Sequence, residues 1–364
     1  MKHLLLAAAM LIGASPAVFA QDRPPPPTRP VDGPLAPKWT VISGAGQTAP
    51  ANQDGDFVIG PEYKPAPELT VVSGVPMGLI KQFVMRSADS KIYPKAIARE
   101  VFGTVDPNNP RTLIVATHEK DWERAITVYI PAAYKKNKPL PFIVTHDGPK
   151  MGEPDMTLPR ILDNLIAQKR VPAQVAVMIQ NGGGDAQGHQ RGLEYDTLSG
   201  RFAEFIETEV LPLVEKNYDI RLSRNPAERA AMGCSSGAAA AWSMAWYSPV
   251  GYRRVISYSG TYVNQQWPYD PQTPGGAWEY PINLVPNNPA RPIRIWMHVG
   301  DRDLYNPNVM RDGMHDWVEA NHRMAAALKG RGYHYQYVYA LDSTHCDKRV
   351  REQTLPAALE YIWK

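Results

Sequence analysis

The chain has 364 residues, 44% hydrophobic and 21% charged, and is therefore long enough to bury one large core or two smaller ones. Its 39 basic and 36 acidic residues leave a formal net charge of +3, and no run of Lys or Arg exceeds two residues. This balance excludes a dedicated nucleic-acid-binding surface.

The N-terminus is typical of a secretory signal peptide. Lys2 precedes an apolar run from Leu4 to Ile12, and small residues follow up to Ala20. The alternative is a buried N-terminal helix. We predict cleavage after Ala20 and export to the periplasm or the medium, where disulfides persist. The apolar run is too short for a permanent membrane anchor, and no lipobox cysteine follows it.

Residues 21–40 contain four consecutive prolines and are predicted to be an extended linker. Short β-type runs such as WTVIS, DFVIG and LIKQFVM, broken by Gly, Pro and Asn, predict an N-terminal β-rich extension over residues 41–115. From residue 116 to 364 apolar strands alternate with helical stretches, which are TLSGRFAEFIETEVLPLVEKN, SGAAAAWSMAWYS, HDWVEANHRMAAALKGRG and TLPAALEYIWK. This alternation predicts an α/β catalytic domain with a mostly parallel central sheet flanked by helices.

The segment AAMGCSSGAAAAW, residues 230–242, places Ser235 between two glycines where a predicted strand meets a predicted helix. In such a G-x-S-x-G turn the serine is strained and its hydroxyl exposed, and the crowded backbones leave no room for side chains at the glycines. The following helix N-terminus favours negative charge. We predict that Ser235 is a nucleophile; the alternative is a chance match.

A serine needs a base, and the base needs an acid that orients it. His345 follows the predicted strand HYQYVYA, at the sheet edge where ligands bind, and is the expected base. Asp301, Asp303 and Asp342 are the candidate acids, and the alternative for Asp301, which directly follows a glycine, is a cap of its turn.

The remaining histidines have simpler interpretations. His298 lies within a predicted strand and is expected to pack in the core. His315 and His322 are seven residues apart on a predicted helix, where a solvated face is a better interpretation than a metal site. We predict no metal and no organic cofactor.

The chain has two cysteines, and each is adjacent to a predicted triad residue. If Ser235 and His345 meet, Cys234 and Cys346 come close as well. In an exported protein this predicts a disulfide between them. It would fasten the loop that carries His345, the histidine loop, to the turn that carries Ser235, the elbow. The alternative is a small buried residue at Cys234 and an unrelated thiol at Cys346.

The motifs YIPAAY, FIVTHDGPKM, RGLEYD, PLVEKNYDIR and AAMGCSSGAAAAW resemble, in order and spacing, the esterase D and enterochelin-esterase-like branch of the α/β hydrolases. The resemblance covers about residues 75–364, and the group includes feruloyl and acetylxylan esterases and the mycolyltransferases. It implies an α/β-hydrolase fold and a serine esterase with Ser235, Asp303 and His345 as the triad. The Cys-Ser, Asp, His-Cys arrangement separately resembles the tannase family, in which those cysteines are bridged.

The resemblance also implies residues around the triad. Arg191 and Glu194 match an R-x-x-E segment bordering the active site, where they would contact the substrate or order a loop as a salt bridge. One oxyanion donor should be the N–H of Ser236. Relatives often take the other from the residue after Asp-Gly, here a proline without an N–H, so Gly148 or Lys150 would have to substitute.

We therefore expect a secreted serine carboxylic-ester hydrolase acting on small-molecule or polysaccharide-linked esters, without a nucleic-acid partner. Five aromatic residues lie between the predicted strand that ends at Ser259 and the loop of the acid, where loops form the substrate cleft in these folds. They favour aryl, feruloyl-type esters or sugar esters as substrates: Trp267, Tyr269, Trp278, Tyr280 and Tyr305. The alternatives are a siderophore trilactone esterase, an acyltransferase using the same triad, and a non-catalytic binding protein on this scaffold.

Overall fold

A computed structural model describes residues 36–364. The predicted signal peptide and most of the predicted linker lie outside the described residues. The strands, in chain order, are β1 (Thr40–Val41), β2 (Gly55–Ile59), β3 (Leu79–Arg86), β4 (Ala96–Arg99), β5 (Thr104–Asp106), β6 (Asn109–Ile114), β7 (Thr117–Lys120), β8 (Glu123–Ile130), β9 (Phe142–Thr145), β10 (Val175–Ile179), β11 (Arg229–Cys234), β12 (Arg254–Tyr258), β13 (Arg294–Arg302) and β14 (His334–Thr344).

Ten of these strands form one central sheet in the order β1-β2-β14-β13-β12-β11-β9-β10-β8-β3. Neighbouring strands run parallel except at β8, which is antiparallel to both β3 and β10. β4 pairs with β7 and β5 with β6 in two small antiparallel sheets. The segment 41–115 thus contributes strands to both edges of the central sheet. The mostly parallel sheet predicted from the sequence is confirmed.

Helices cover both faces of the sheet. They are α1 (Thr157–Ala167), α2 (Gln190–Tyr195), α3 (Arg201–Phe205), α4 (Leu211–Tyr218), α5 (Ser236–Tyr247), α6 (Val285–Asn287), α7 (Trp317–Gly330) and α8 (Lys348–Ile362). α1 and α8 enclose one hydrophobic core against the sheet, and α3, α4, α5 and α7 enclose the larger core on the other face. No helix within residues 36–364 is long and apolar enough to cross a membrane.

Two of the longer helices differ from the pattern predicted by the sequence. The sequence did not predict α1, because its TLPRILDNLIA segment carries a proline and its N-cap residue, Met156, has no side chain that caps a helix. α8 begins at Lys348, six residues before the predicted TLPAALEYIWK helix, because Asp347 caps its N-terminus by accepting from the N–H of Arg349.

Candidate active site

Ser235 lies in a sharp turn between β11 and α5, with φ 59° and ψ −132°. A side chain at Gly233 would place its Cβ 2.2 Å from the carbonyl carbon of Gly237, so strand and helix backbones touch at this turn. Non-glycine residues rarely adopt positive φ, and such strain is typical of functional turns. The serine side chain is consequently held at the C-terminal edge of the sheet.

His345 is joined to Asp303 through a hydrogen bond of 2.5 Å between Nδ1 and Oδ1. Burial alone would raise the pKa of Asp303, but the hydrogen bonds from His345, Ser259 and the N–H of Leu304 hold that pKa below its usual range. The carboxylate is therefore ionised, and Nδ1 carries the proton of the imidazole. This leaves Nε2 as the basic nitrogen of a neutral His345.

Only one of the three candidate acids reaches His345. Asp301 instead accepts the backbone N–H of Ser343 at 3.0 Å, which fixes the strand leading to the histidine loop. Asp342 pairs with Arg302 at 2.7 Å at the surface. The Asp303 that the family resemblance implied is the carboxylate with the geometry of an orienting acid.

Cys234 and Cys346 form a disulfide with Cα atoms 6.0 Å apart. Ser235 and His345 each directly adjoin one of these cysteines, so the bond ties the elbow to the histidine loop. Ser259 adds a second tie, because its hydroxyl donates to Asp303 Oδ2 at 2.6 Å and accepts the N–H of Cys346 at 3.0 Å. The three segments are thereby fixed at one edge of the sheet.

The sequence did not indicate Thr261, whose side chain lies at the elbow. Its hydroxyl is 3.3 Å from that of Ser235, and the indole N–H of Trp317 donates to it at 3.1 Å. Trp317 also stands edge-on to the ring of His345, with ring centroids 6.0 Å apart. One contact network therefore includes the serine, the threonine, the indole and the imidazole.

The backbone donors around Ser235 differ in part from those expected. Ser236 is the first residue of α5, where N–H groups have no partner within the helix. Gly148 was one of two expected second donors, but its N–H already donates to the carbonyl of Ile179 at 2.8 Å. The assignment of Gly148 is corrected on this ground. Of the residues considered, Lys150 is the one that remains.

The chain matches known esterases. A family model described as "Putative esterase" matches residues 117–360. The chain belongs to this esterase family. The esterase-like α/β-hydrolase fold that the motifs implied is confirmed.

The esterase also resembles several solved structures. A ferulic acid esterase from the anaerobic fungus Anaeromyces mucronatus is 14% identical with a TM-score of 0.54, over 83% of this chain and 96% of that one. Another ferulic acid esterase is 16% identical with a TM-score of 0.51, over 79% of this chain and 98% of that one. An enterobactin esterase from Shigella flexneri is 20% identical with a TM-score of 0.47, and the match spans 66% of this chain but only 55% of that protein. No curated protein sequence matches the chain.

Arg191 supports the loop that follows β9. Its guanidinium donates two hydrogen bonds, of 2.9 and 2.8 Å, to the carboxylate of Asp147, and Asn181 donates to the same carboxylate at 2.6 Å. Burial alone would raise the pKa of Asp147, but these contacts hold it below its usual range. The contacts show Arg191 ordering a loop beside the esterase's elbow.

Glu194 does not face the cleft. Its side chain is fully buried and forms an ion pair with Arg124 at 2.6 Å, while Gln190 donates to the same oxygen at 2.8 Å. The expected substrate contact of Glu194 is therefore corrected, because its carboxylate is enclosed in the protein. The sequence could not indicate the partner, which lies 70 residues upstream.

A second buried carboxyl group lies beneath the elbow. Gln265 donates to Asp196 Oδ2 at 3.0 Å and contacts the hydroxyl of Ser236 at 3.2 Å. Asp196 Oδ1 has no hydrogen-bond partner, and burial raises the pKa of Asp196 to about 7. Asp196 is thus neutral at mildly acidic pH and charged above neutrality. The sequence did not single it out.

Of the five aromatic residues expected at the cleft, two are buried in the core. Tyr280 is fully buried and Trp278 is 6% exposed. Tyr269 and Tyr305 are exposed, and Trp267 is half-buried with its indole N–H donating to the carbonyl of Leu113. The hairpin β5–β6 of the N-terminal segment therefore contacts the loop that carries Trp267.

Three further histidines, His298, His315 and His322, are internal. His298 is fully buried, and burial lowers its pKa to about 4. The expected solvated face for His315 and His322 is wrong, because both are buried; they bond to Asp312 at 3.0 Å and to the hydroxyl of Tyr337 at 2.8 Å. Within residues 36–364, no three His, Cys, Asp or Glu side chains are grouped so that they could hold a metal.

Proposed function

We propose that this esterase is a serine carboxylic-ester hydrolase in which Ser235 is the nucleophile, His345 the general base and Asp303 the orienting acid. The observation that carries the proposal is the Asp303–His345 pair, tied by the Cys234–Cys346 disulfide to the residue next to a strained serine. The strained backbone of Ser235 and the Asp303–His345 pair support this assignment, because nucleophilic catalysis needs a nucleophile, a base and an acid that orients the base.

In the proposed mechanism, Ser235 Oγ attacks the ester carbonyl carbon and Nε2 of His345 accepts the serine proton. Asp303 stabilises the imidazolium that forms. The tetrahedral oxyanion accepts hydrogen bonds from the N–H groups of Ser236 and Lys150. The imidazolium then donates its proton to the departing alcohol, and water hydrolyses the acyl-enzyme by the same steps in reverse order.

We propose aryl esters of the feruloyl type, or esters carried on carbohydrates, as the substrates. Two ferulic acid esterases share the fold over nearly their whole length. Exposed Tyr305 lies two residues after Asp303, and Trp267 lies two residues after Gln265, which contacts the elbow. Such rings suit the faces of phenolic acids and sugars. We further propose export, which the disulfide supports.

The test is a substrate panel of methyl ferulate, 4-nitrophenyl acetate, acetylated xylan and enterobactin, with and without alcohol acceptors. We expect Ser235→Ala and Asp303→Asn to lower kcat by about 10⁴-fold on the preferred ester. Asp342→Asn is the matched control, since this acid does not reach His345. Undiminished turnover by Ser235→Ala would refute the assignment. Transfer of the acyl group to an alcohol in preference to water would indicate an acyltransferase.

A further inference from the structure

A cavity of about 200 Å³ lies beside the elbow, on the face of the sheet that α1 and α8 cover. Gly233 and Cys234 of β11 line it on one side, and the loop from Asp147 to Pro149 lines it on another. Neither Ser235 nor His345 is among its lining residues. An engineered cavity of about 150 Å³ binds benzene, so this one can accept a small organic molecule.

The walls of the cavity combine apolar side chains with one cation. Leu158, Met178 and Leu355 supply apolar surface, and Arg351 lines the same space. Within residues 36–364, Arg351 makes no ion pair or side-chain hydrogen bond, and its Nε is buried without a partner. By contrast, nearby Arg349 bonds to Asp347 at 2.7 Å. The Nε of Arg351 is shielded from water without a partner, and a guanidinium forms paired hydrogen bonds with a carboxylate, which points to an anion that it would bind.

The surroundings of Arg351 do not compensate its charge. It is the fourth residue of α8, at the positive end of the helix dipole, and the first turn of α8 contains no acidic residue. The N-terminal end of α1 borders the same cavity through Thr157. Two carboxylates also border it, but Asp147 is held by Arg191 and the exposed Asp155 accepts the N–H of Thr157. Neither of them pairs with Arg351.

We propose that this cavity binds the carboxylate of a small organic acid with an apolar body, with Arg351 as its charge partner. The apolar walls would enclose the body of the ligand, and the guanidinium would donate to the carboxylate. The proposal concerns a site separate from the triad, and its binding test does not depend on the proposed hydrolase function.

The carboxylate could come from two sources. It could be part of the ester substrate itself, because the cavity is lined by Gly233 and Cys234, which directly precede Ser235. It could also belong to a free acid that binds independently of turnover. Both sources share the same recognition chemistry, and kinetic measurements separate them.

The binding test uses 3-phenylpropanoate and its neutral amide, titrated calorimetrically into the wild-type protein with its disulfide intact. We expect the acid to bind more tightly than the amide, and Arg351→Gln to weaken binding of the acid by about tenfold or more. Arg351→Lys should retain part of the affinity, which guards against misfolding of the Gln variant. Lys348→Gln removes an exposed charge from the same helix turn and should leave the affinity for the acid unchanged.

Equal binding of acid and amide, or unchanged binding of the acid by Arg351→Gln, would overturn the proposal. To identify the source of the carboxylate, a second experiment compares kcat/KM for the charged ester mono-4-nitrophenyl glutarate with kcat/KM for the neutral ester 4-nitrophenyl pentanoate. A preference for the charged ester that falls about tenfold in Arg351→Gln, but not in Lys348→Gln, assigns the carboxylate to the substrate. Arg351-dependent binding of the free acid without such a preference assigns it to a separate ligand.

Discussion

The hydroxyl of Thr261 lies 3.3 Å from the hydroxyl of Ser235. Because the indole of Trp317 can only donate, Thr261 Oγ1 must accept that bond and has its own proton free for Ser235. We expect Thr261 to donate this proton to the serine oxygen, which leaves the serine proton for His345. This is the direction that attack by Ser235 requires.

We therefore predict that Thr261→Val lowers kcat by about fivefold, since one hydrogen bond to the attacking oxygen is worth about 1 kcal/mol. Thr261→Ser keeps the hydroxyl and should retain most of the activity. Steady-state kinetics with one ester measures both variants. A Val variant with wild-type kcat would show that the contact does not position the nucleophile.

Removing the disulfide should affect activity and stability together. Cys234→Ala with Cys346→Ala releases a constraint across 112 residues, worth about 4–5 kcal/mol in the chain-entropy model. We expect a lower urea midpoint and a lower kcat, because the histidine loop loses its covalent link to the elbow. Thiol titration of the denatured, unreduced wild type is the accompanying check. Two free thiols would show that the bond is absent.

Asp196 makes stability depend on pH in an unusual direction. Its folded pKa of about 7 lies above the ordinary value of 3.8, so between these values the folded state holds a proton that the unfolded state has lost. Stability contributed by this group is therefore present below pH 4 and is lost as pH rises towards 7. We predict that Asp196→Asn is more stable than wild type at pH 8, by at most about 4 kcal/mol, and equally stable at pH 4.

The same ionisation should reduce turnover. Above pH 7 a negative charge lies beneath Ser236, whose N–H would bind the oxyanion, and like charges repel. We expect kcat/KM of the wild type to decline above pH 7 and the decline to be smaller in Asp196→Asn. Urea melts and pH–rate profiles of both proteins provide the readouts. Parallel profiles would mean that Asp196 does not titrate in this range.

Glu194→Gln tests the correction made for this residue. Breaking a fully buried ion pair costs about 3–5 kcal/mol, because Arg124 would remain buried and charged. We predict a large drop in unfolding free energy with little change in KM. Glu153→Gln, at an exposed position, is the control for the substitution. A stable Gln variant with a raised KM would restore Glu194 as a substrate contact.

The sequence allowed the sheet and the elbow to be predicted because local patterns determine them. Apolar strands alternate with helices in β9 to β14, and the glycines around Ser235 are required wherever a strand and a helix touch so closely. Both cysteines adjoin expected triad residues, so their pairing could also be inferred. In each case the information lies within a few adjacent residues.

The supporting contacts could not be predicted, because they join distant segments. Thr261 contacts Ser235 directly and accepts a hydrogen bond from Trp317, and Ser259 joins Asp303 to Cys346. The N–H of Gly148 is occupied by a carbonyl of another strand. No spacing rule in the sequence links such residues, since their proximity depends on strand order and loop conformation.

The N-terminal strands occupy both edges of the central sheet, with β1 and β2 beyond β14 and β3 beyond β8. A fragment trimmed to residues 117–360, the part that matches the family model, would lose all three. The long strands β8 and β14 would then present unpaired backbone groups to solvent, where a second molecule could pair with them. We therefore expect residues 40–86 to protect the folded enzyme from aggregation, and expression of the shortened fragment to yield insoluble protein.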